Sequence, residues 1–289
     1  MRTVPLVLLA LLSLALLSSA PSGCRSAPRA AADGKAHAGP APAAALEVVT
    51  LNLWHDKGDW PRRREMIVAA LRASRPDAIF LQEVLQDAGL PNQAEDLARA
   101  LGYACFFVSV DPPDRTRRYG NAVLTRHPVR MRAQRALRPP EDYRVAGMVR
   151  ADVGGQPLNL YVTHLNFTDA SGATRARQIG DLLAFVDATR GDAPSVIAGD
   201  FNVGAAAPEL APLRARYTDA FAALHAAPDA PANTTLNPHY GHPRTRIDHV
   251  FLQTGVLMPV RARIVLDRPD ASGTWPSDHF GLQVGFRRE

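Results

Sequence analysis

The sequence predicts an α+β fold in which two mixed, mainly antiparallel sheets pack face to face with helices on the outside. Ten short segments have the apolar or alternating pattern of β-strands, whereas three segments have helical periodicity. A doubly wound parallel sheet would need a helix between nearly every pair of strands. With so few helices, most of the strands must pair with antiparallel neighbours.

The predicted elements follow one another without a long break. The strands are 46–53, 77–82, 103–110, 121–126, 144–153, 157–165, 195–199, 247–252, 262–266 and 279–286. Gly154-Gly155 separates two of them and indicates a hairpin. The helices are 62–73, preceded by Pro61, 93–101, which ends at Gly102, and 174–189, whose apolar residues have helical spacing.

The amino-terminal residues have the composition of a targeting segment. Arg2 precedes an apolar stretch, Val4–Leu17, which is followed by small residues. This order is typical of an export signal, and we assign it to residues 1–23. We therefore expect the protein to lie outside the cytoplasm.

Residues 20–24, APSGC, resemble a bacterial lipoprotein cleavage box in which Cys24 would carry the lipid. Pro21 stands where such a box usually has an aliphatic residue, so two alternatives remain, a cell-envelope lipoprotein and a secreted protein. Residues 24–45 are rich in Ala and Pro and indicate a tether. Residues 46–289 then form one domain, which we expect to be monomeric.

The composition is that of a globular protein, with 46% hydrophobic and 21% charged residues among 289. The formal net charge is +5, from 33 basic and 28 acidic residues. This small surplus weakly favours an anionic partner such as nucleic acid or a phospholipid surface. We expect the basic run Arg62-Arg63-Arg64 to be solvated surface charge.

Polar side chains stand at or near the ends of many predicted strands. They are Asn52, Glu83, His164, Asp200, Asn202, Asp248, Asp278 and His279. Burying such groups singly costs about 1–3 kcal/mol each unless they are partnered. Gathered at one rim they satisfy one another, and their oxygen donors suit Mg²⁺, Mn²⁺ or Ca²⁺. Phosphoryl transfer to water needs a cation to neutralise charge on the phosphate oxygens and a base, such as histidine, to activate the water.

Seven motifs resemble, in order, those of the endonuclease/exonuclease/phosphatase superfamily, which has the deoxyribonuclease I-like fold. They are TLNLW (50–54), LQEV (81–84), GNAVLTRHP (120–128), YVTHL (161–165), GDFN (199–202), RIDHVF (246–251) and SDHF (277–280). The resemblance covers nearly all of the domain. It implies a four-layer α/β/β/α sandwich that carries a divalent cation, Mg²⁺ or alternatively Mn²⁺ or Ca²⁺, at the edge shared by the sheets.

The resemblance also implies a role for each polar residue. Glu83 would be the principal metal ligand, with Asn52 beside it and Asp278 serving the metal site or its hydrogen-bond frame. His279 would be the general base, and Asp248 would orient its imidazole. Asp200 and Asn202 would orient the nucleophile and phosphate. His164 would donate to a phosphate oxygen, and Asn121 would frame the substrate pocket.

The implied function is that of an exported, metal-dependent hydrolase of phosphodiester or phosphomonoester bonds, with in-line attack by water. Deoxyribonuclease I-like nucleases, sphingomyelinases and inositol polyphosphate phosphatases share the Thr163-His164-Leu165 form. The substrate therefore stays open between nucleic acid and a phospholipid headgroup or other phosphate ester. A second hypothesis is an inactive module of the same fold that binds a phosphorylated ligand.

Overall fold

The computed structural model describes residues 45–289. The predicted export signal, the lipidation site at Cys24 and the predicted tether up to residue 44 lie outside the described residues. The described residues form twelve strands, β1 (Leu46–Asn52), β2 (Ala78–Gln86), β3 (Ala104–Ser109), β4 (Arg118–Thr125), β5 (Val129–Ala136), β6 (Val145–Val153), β7 (Gln156–His164), β8 (Ser195–Asp200), β9 (Tyr217–Asp219), β10 (Asp248–Gln253), β11 (Leu257–Val265) and β12 (Gly281–Arg288). They also form four α-helices, α1 (Trp60–Ser74), α2 (Gln93–Leu101), α3 (Ala173–Thr189) and α4 (Ala211–Arg214).

The strands form two six-stranded sheets. The first has the order β11-β12-β1-β2-β4-β3, and the second has the order β5-β6-β7-β8-β10-β9. Each sheet contains one parallel pair, β1 with β2 and β7 with β8, and its other neighbours are antiparallel. Helices α1 and α3 are the crossovers that a parallel pair requires. The predicted sandwich of two mixed, mainly antiparallel sheets flanked by helices is confirmed.

Three apolar layers hold the sandwich together. Between the sheets, Phe80 and Val123 of the first sheet belong to one cluster with Val196 of the second. On the outer face of the first sheet, α1 and α2 bury residues such as Ile67. On the outer face of the second, α3 buries residues such as Ile179. Within residues 45–289 no helix is long and apolar enough to cross a membrane.

Two strands were missed by the sequence prediction, and each has a physical reason. β5 is an edge strand whose sequence, VRMRAQRA, leaves most side chains exposed. Charged side chains suit an edge because they discourage pairing with a second chain, but they erase the apolar alternation by which strands are recognised. β9 has only three residues and pairs only with the end of β10. The predicted hairpin at Gly154-Gly155 does join β6 to β7.

Two strands of the second sheet carry apolar residues on their inner face and end on that face with a polar residue. In β7, Leu160 and Val162 belong to the cluster between the sheets, and His164 is the next residue of the same parity. In β8, Val196 and Ala198 lead to Asp200 in the same way. Because side chains of a strand alternate between faces, these polar residues end on the inner face.

Gly199 is required by the close approach of β7 and β8. Its Cα is paired with Thr163, and an added Cβ would lie 2.0 Å from the Thr163 carbonyl oxygen. That oxygen is backbone and cannot rotate away. The glycine before Asp200 therefore sets how closely the strand that carries Asp200 can approach its neighbour.

We expect Gly199→Ala to lower the free energy of unfolding by about 3 kcal/mol, because the methyl group forces two paired strands apart. Gly180→Ala is the matched control, since Gly180 lies within α3 and an added Cβ would meet nothing within 4 Å. The control should raise stability by about 0.5–1 kcal/mol through helix propensity. Urea unfolding followed by circular dichroism measures both, and equal stability of the two variants would contradict the close-approach argument.

Candidate active site

Three polar residues form a row across the end of the second sheet. Asp200 is the Cα partner of His164 in β7 on one side and of Asp248 in β10 on the other. All three side chains are buried. The register of the sheet therefore brings together residues that are far apart in the chain, and it does so before any side-chain contact is considered.

One carboxylate oxygen, Oδ2 of Asp200, lies at the centre of the site. Asn52, at the end of β1 in the opposite sheet, donates to it from Nδ2 at 3.1 Å. The Nε2 atoms of His164 and His279 lie 3.5 and 3.8 Å from the same oxygen. The other oxygen, Oδ1, accepts the backbone N–H of Asn202 at 2.9 Å.

His279 and Asp248 form a buried acid–imidazole pair. The imidazole Nδ1 lies 2.9 Å from Asp248 Oδ2, so Nε2 is left to face Asp200. Burial opposes protonation of His279, but the Asp248 carboxylate outweighs it and raises the pKa of His279 to about 10. The backbone N–H of Asp248 donates to the Thr235 hydroxyl at 3.1 Å, and Asp248 Oδ1 is buried without a partner.

The other two members of the row respond to burial in opposite directions. Burial, together with the charge of Asp248, raises the pKa of Asp200 to about 7. Burial also lowers the pKa of His164 well below its usual value, and the nearby charges of Arg144 and His279 act in the same direction. His164 is therefore a neutral imidazole near pH 7, whereas His279 carries a proton.

Glu83 reaches the site through an irregularity in β2. The register between β2 and β4 shifts between Leu81 and Val84, and Glu83 has a left-handed φ of 54°. Its carboxylate lies 3.4 Å from His55 Nε2 and is partly exposed. A bulge of this kind re-aims one side chain and is common beside functional sites. Here it turns Glu83 toward the end of the sandwich.

Asp278 lies in the segment that precedes β12. One of its carboxylate oxygens lies 3.2 Å from His242 Nε2. The hydroxyl of its neighbour Ser277 donates to the Asn52 carbonyl at 2.7 Å and accepts the His279 N–H at 3.2 Å. Ser277 thus fastens the segment of Asp278 and His279 to the end of β1.

The two remaining predicted residues tie strands together at the same end. Asn121, in β4, donates from Nδ2 to the Val145 carbonyl at 2.8 Å and so bridges the two sheets. Asn202 has a left-handed φ of 54° and donates from Nδ2 to the Leu165 carbonyl at 3.0 Å. Both side chains frame the row of His164, Asp200 and Asp248.

The structure brings the predicted residues to one end of the sandwich but not all into contact. Asn52, His164, Asp200, Asp248 and His279 form one connected group through the contacts described above. Glu83 contacts His55, and Asp278 contacts His242. The one group among the described residues whose ligand atoms lie close enough to share a metal ion, within 4.8 Å, is Asp200, Asp248 and His279, which differs from the predicted set of Glu83, Asn52 and Asp278.

Sequence reasoning missed two residues that face the site. Tyr119 lies in β4 two residues before Asn121, and its half-buried phenol is close enough to Glu83 and Asp200 for desolvation and their charges to raise its pKa. The available signal was the spacing of two residues from Asn121, because residues two apart in a strand share one face of the sheet. Arg144 is buried, its Nε has no hydrogen-bond partner and lies 3.6 Å from Asp142 Oδ2, and its charge acts on His164. Arg144 is the first residue of the predicted strand 144–153, and a strand pattern does not reveal that a charged first residue is buried.

A second buried charge network supports Asp248 from behind. The Arg246 guanidinium donates to Asp219 Oδ2 at 2.9 Å, and His249 Nδ1 lies 2.6 Å from the guanidinium and 3.3 Å from the same Asp219 oxygen. The Nε2 of His249 donates to the Val203 carbonyl at 2.9 Å. Burial alone would raise the pKa of Asp219, but His249 and Arg246 hold it well below its usual range. The network fixes the residues on both sides of Asp248 and the turn after Asn202.

The chain belongs to the Endonuclease/Exonuclease/phosphatase family. The sequence profile of that family matches residues 49–279, which include every predicted site residue. This confirms the resemblance seen in the motifs and makes the chain a member of a family of metal-dependent phosphoric ester hydrolases. A search of curated protein sequences finds no significant match.

Solved structures of the same fold are similar over most of the chain. A Bacteroides vulgatus endonuclease/exonuclease/phosphatase aligns with a TM-score of 0.70 and 19% identity, over 85% of this chain and 99% of that one. The human Nocturnin catalytic domain aligns with a TM-score of 0.68 and 23% identity, over 85% and 94%. D. rerio TDP2 complexed with a single-strand DNA product gives 0.67 and 21%, over 84% and 99%. At these identities the likeness shows the fold.

We expect Asp219→Asn to lower the free energy of unfolding by about 3–5 kcal/mol at pH 7, because it leaves the buried Arg246 cation without its carboxylate. The pKa of Asp219 is lower in the folded than in the unfolded state, so its stabilisation is fully present above about pH 4 and is lost as the pH falls toward the folded pKa. The difference between wild type and variant should therefore be constant from pH 5 to 8 and narrow in stronger acid.

Asp187→Asn is the matched control, because the Asp187 side chain is 51% exposed and pairs with Arg216 at the surface. It should change stability by less than about 1 kcal/mol. Guanidinium chloride titrations at several pH values measure both variants. A constant difference down to pH 2, or an Asp187 effect as large as that of Asp219, would contradict the expectation.

Proposed function

We propose that this enzyme hydrolyses phosphodiester bonds by in-line attack of water, with His279 as the general base. The observation that carries the proposal is the buried Asp248–His279 pair, whose free Nε2 points toward Asp200 Oδ2. A carboxylate on Nδ1 fixes the ring so that Nε2 is the atom that exchanges protons with the substrate side. This is the arrangement that activates a water molecule held beside Asp200.

The donor atoms at the site suit a divalent cation of the hard class. Carboxylates from Glu83 and Asp278 and the amide of Asn52 are oxygen donors of the kind that Mg²⁺, Mn²⁺ and Ca²⁺ bind. Glu83 and Asp278 are both partly exposed, so a hydrated ion reaches them without breaking the buried network of Asp200. We propose that Glu83 holds the cation, with Asn52 and Asp278 beside it. When bound, the cation would neutralise charge on the phosphate oxygens.

The chain's own residues would hold the phosphate and move the proton. Asp200 would accept a hydrogen bond from the attacking water and keep it in line with the phosphorus, and His279 would take its proton. Proton uptake requires His279 to be in its neutral form, so turnover should increase with pH toward the raised pKa of His279, about 10. His164 and Asn202 would donate to the non-bridging oxygens as charge develops there. Arg144, buried beside His164 with its Nε 3.6 Å from Asp142, would add positive charge on that side.

Two observations favour a phosphodiester over a phosphomonoester substrate, the net charge of the chain and the ligand of a solved structure with the same fold. The net charge of +5 favours polyanionic substrates such as nucleic acid, although the surplus is small. One solved relative of the same fold, D. rerio TDP2, is complexed with a single-strand DNA product. A phospholipid headgroup is the competing diester, and a panel of plasmid DNA, RNA, sphingomyelin and inositol phosphates separates the two from a monoesterase.

The direct test is hydrolysis of bis-p-nitrophenyl phosphate by purified protein with Mg²⁺ or Mn²⁺, before and after EDTA. We expect nitrophenol release that EDTA abolishes and that added metal restores. His279→Ala should lower kcat by about 100- to 10,000-fold, the usual contribution of a general base. Glu83→Gln should lower it by a comparable factor and weaken metal activation.

His127→Ala is the matched control for the base. His127 also pairs with a carboxylate, its Nε2 lying 2.7 Å from Asp77, but at the opposite end of the first sheet. It should leave kcat unchanged. Full activity of His279→Ala would exclude the proposed mechanism, and a protein with no metal-dependent release at all would be the phospho-ligand-binding module.

We also propose that residues 1–23 direct export. Arg2, the apolar stretch Val4–Leu17 and the small residues before Cys24 support this. When the full chain is expressed in a bacterial host, we expect residues 1–23 to be removed. If the protein is a lipoprotein, wild type should be found in the membrane fraction and the Cys24→Ser variant should not. Release of both wild type and Cys24→Ser from the cells in soluble form would indicate a secreted protein. An uncleaved chain in the cytoplasm would contradict export.

A further inference from the structure

Arg63 is a buried guanidinium in the first turn of α1. Its side chain is 1% exposed, which contradicts the expectation that Arg62-Arg63-Arg64 is solvated charge. Within residues 45–289, Arg63 forms no ion pair with a carboxylate. A cation at a helix amino terminus opposes the helix dipole, and burial adds a desolvation cost. Compensating contacts must therefore hold it there.

Those contacts are backbone carbonyls from two separate segments. Arg63 Nε donates to the Lys57 carbonyl at 2.9 Å, and Nη2 donates to the His55 carbonyl at 2.7 Å. Nη1 donates to the Leu53 carbonyl at 2.7 Å and to the Pro276 carbonyl at 3.0 Å. A guanidinium spreads five N–H donors over three nitrogens in one plane, whereas lysine carries three donors on a single nitrogen and cannot reach carbonyls on both sides of the plane's edge at once.

Both segments carry residues of the proposed active site. Leu53 directly follows Asn52, and the ring of His55 contacts Glu83 at 3.4 Å. Pro276 precedes the segment that contains Asp278 and His279. The guanidinium therefore links the segment that follows Asn52 to the segment that carries Asp278 and His279.

The loop after β1 is bent around Arg63. Trp54 and His55 both have left-handed φ values, 55° and 29°, which non-glycine residues adopt at an energetic cost. The Arg63 Cζ atom also lies 5.3 and 5.2 Å from the rings of Trp54 and Trp60, where the cation is attracted to the aromatic faces. Burial lowers the pKa of Arg63 to about 10, so it stays charged near neutral pH.

We propose that Arg63 is a positioning residue that sets the spacing between the Asn52–Glu83 side and the Asp278–His279 side of the active site. This inference rests on the proposed function. A displacement of about 1 Å between reacting groups costs on the order of 100-fold in rate. Loss of the fork should therefore reduce catalysis and metal binding together, even where the fold survives.

The test compares Arg63→Lys with wild type for kcat and KM on bis-p-nitrophenyl phosphate and for Mn²⁺ affinity by calorimetry. Lysine keeps the charge but not the fork. We expect kcat to fall by about 10- to 100-fold with little change in KM, and Mn²⁺ binding to weaken by about tenfold or more. In Arg63→Gly, millimolar guanidinium chloride should restore part of kcat, and equal concentrations of sodium chloride should not.

Arg150→Lys is the matched control. Arg150 also donates to backbone carbonyls, those of Thr189 and Arg190, but at the end of the sandwich away from the site. It should lower the melting temperature and leave kcat and Mn²⁺ affinity within about twofold, as expected for a contact remote from the site.

Wild-type kcat and Mn²⁺ affinity in Arg63→Lys, or losses of equal size in Arg150→Lys, would overturn the inference. Both outcomes presuppose that wild type hydrolyses the diester in a metal-dependent manner. A wild-type protein without that activity would instead remove the proposed function, and the inference with it. If Arg63→Gly does not fold, Arg63→Lys decides the question through its kcat and its Mn²⁺ affinity.

Discussion

The structure of the site depends on one buried carboxylate oxygen, Asp200 Oδ2, at the point where the two sheets meet. Asn52 reaches it from the first sheet, and His164 and His279 approach it from the second sheet and the segment before β12. A buried carboxylate needs hydrogen-bond donors, and buried donors need an acceptor. Each group therefore stabilises the positions of the others, and the two sheets are held in one alignment.

Several features that cost folding free energy lie around this oxygen. Four non-glycine residues of the site, Trp54, His55, Glu83 and Asn202, have left-handed backbone conformations within the described chain. Buried charges at Asp248 and His279 compensate each other, and Arg246 and Arg63 are satisfied by Asp219 and by backbone carbonyls. Strain and buried charge of this kind persist only where the surrounding packing over-determines them. The rigid double sheet supplies that packing.

Much of the site followed from simple alternation along strands. Once Leu160 and Val162, or Val196 and Ala198, are placed in the core, His164 and Asp200 must emerge on the same face. Glu83 does not follow this rule, because a bulge in β2 re-aims it. Arg63 was misjudged for a related reason. Its neighbours in sequence are also basic, and the carbonyls that accept its hydrogen bonds come from residues 53–57 and from residue 276, which local pattern cannot associate with it.

By itself, the sequence determined the two sheets with helices outside, the family and the end of the sandwich at which its polar residues gather, because periodicity and motif order are local properties of the chain. Only the tertiary structure decided which of those residues touch. It paired Asp248 with His279, placed Asp200 between them and Asn52, and left Glu83 and Asp278 outside the group of described residues whose ligand atoms lie closest together. The physical reason is that these contacts depend on strand register and sheet alignment, and both are set by packing between segments that are distant in the chain, as in the contact of Asn52 with Asp200.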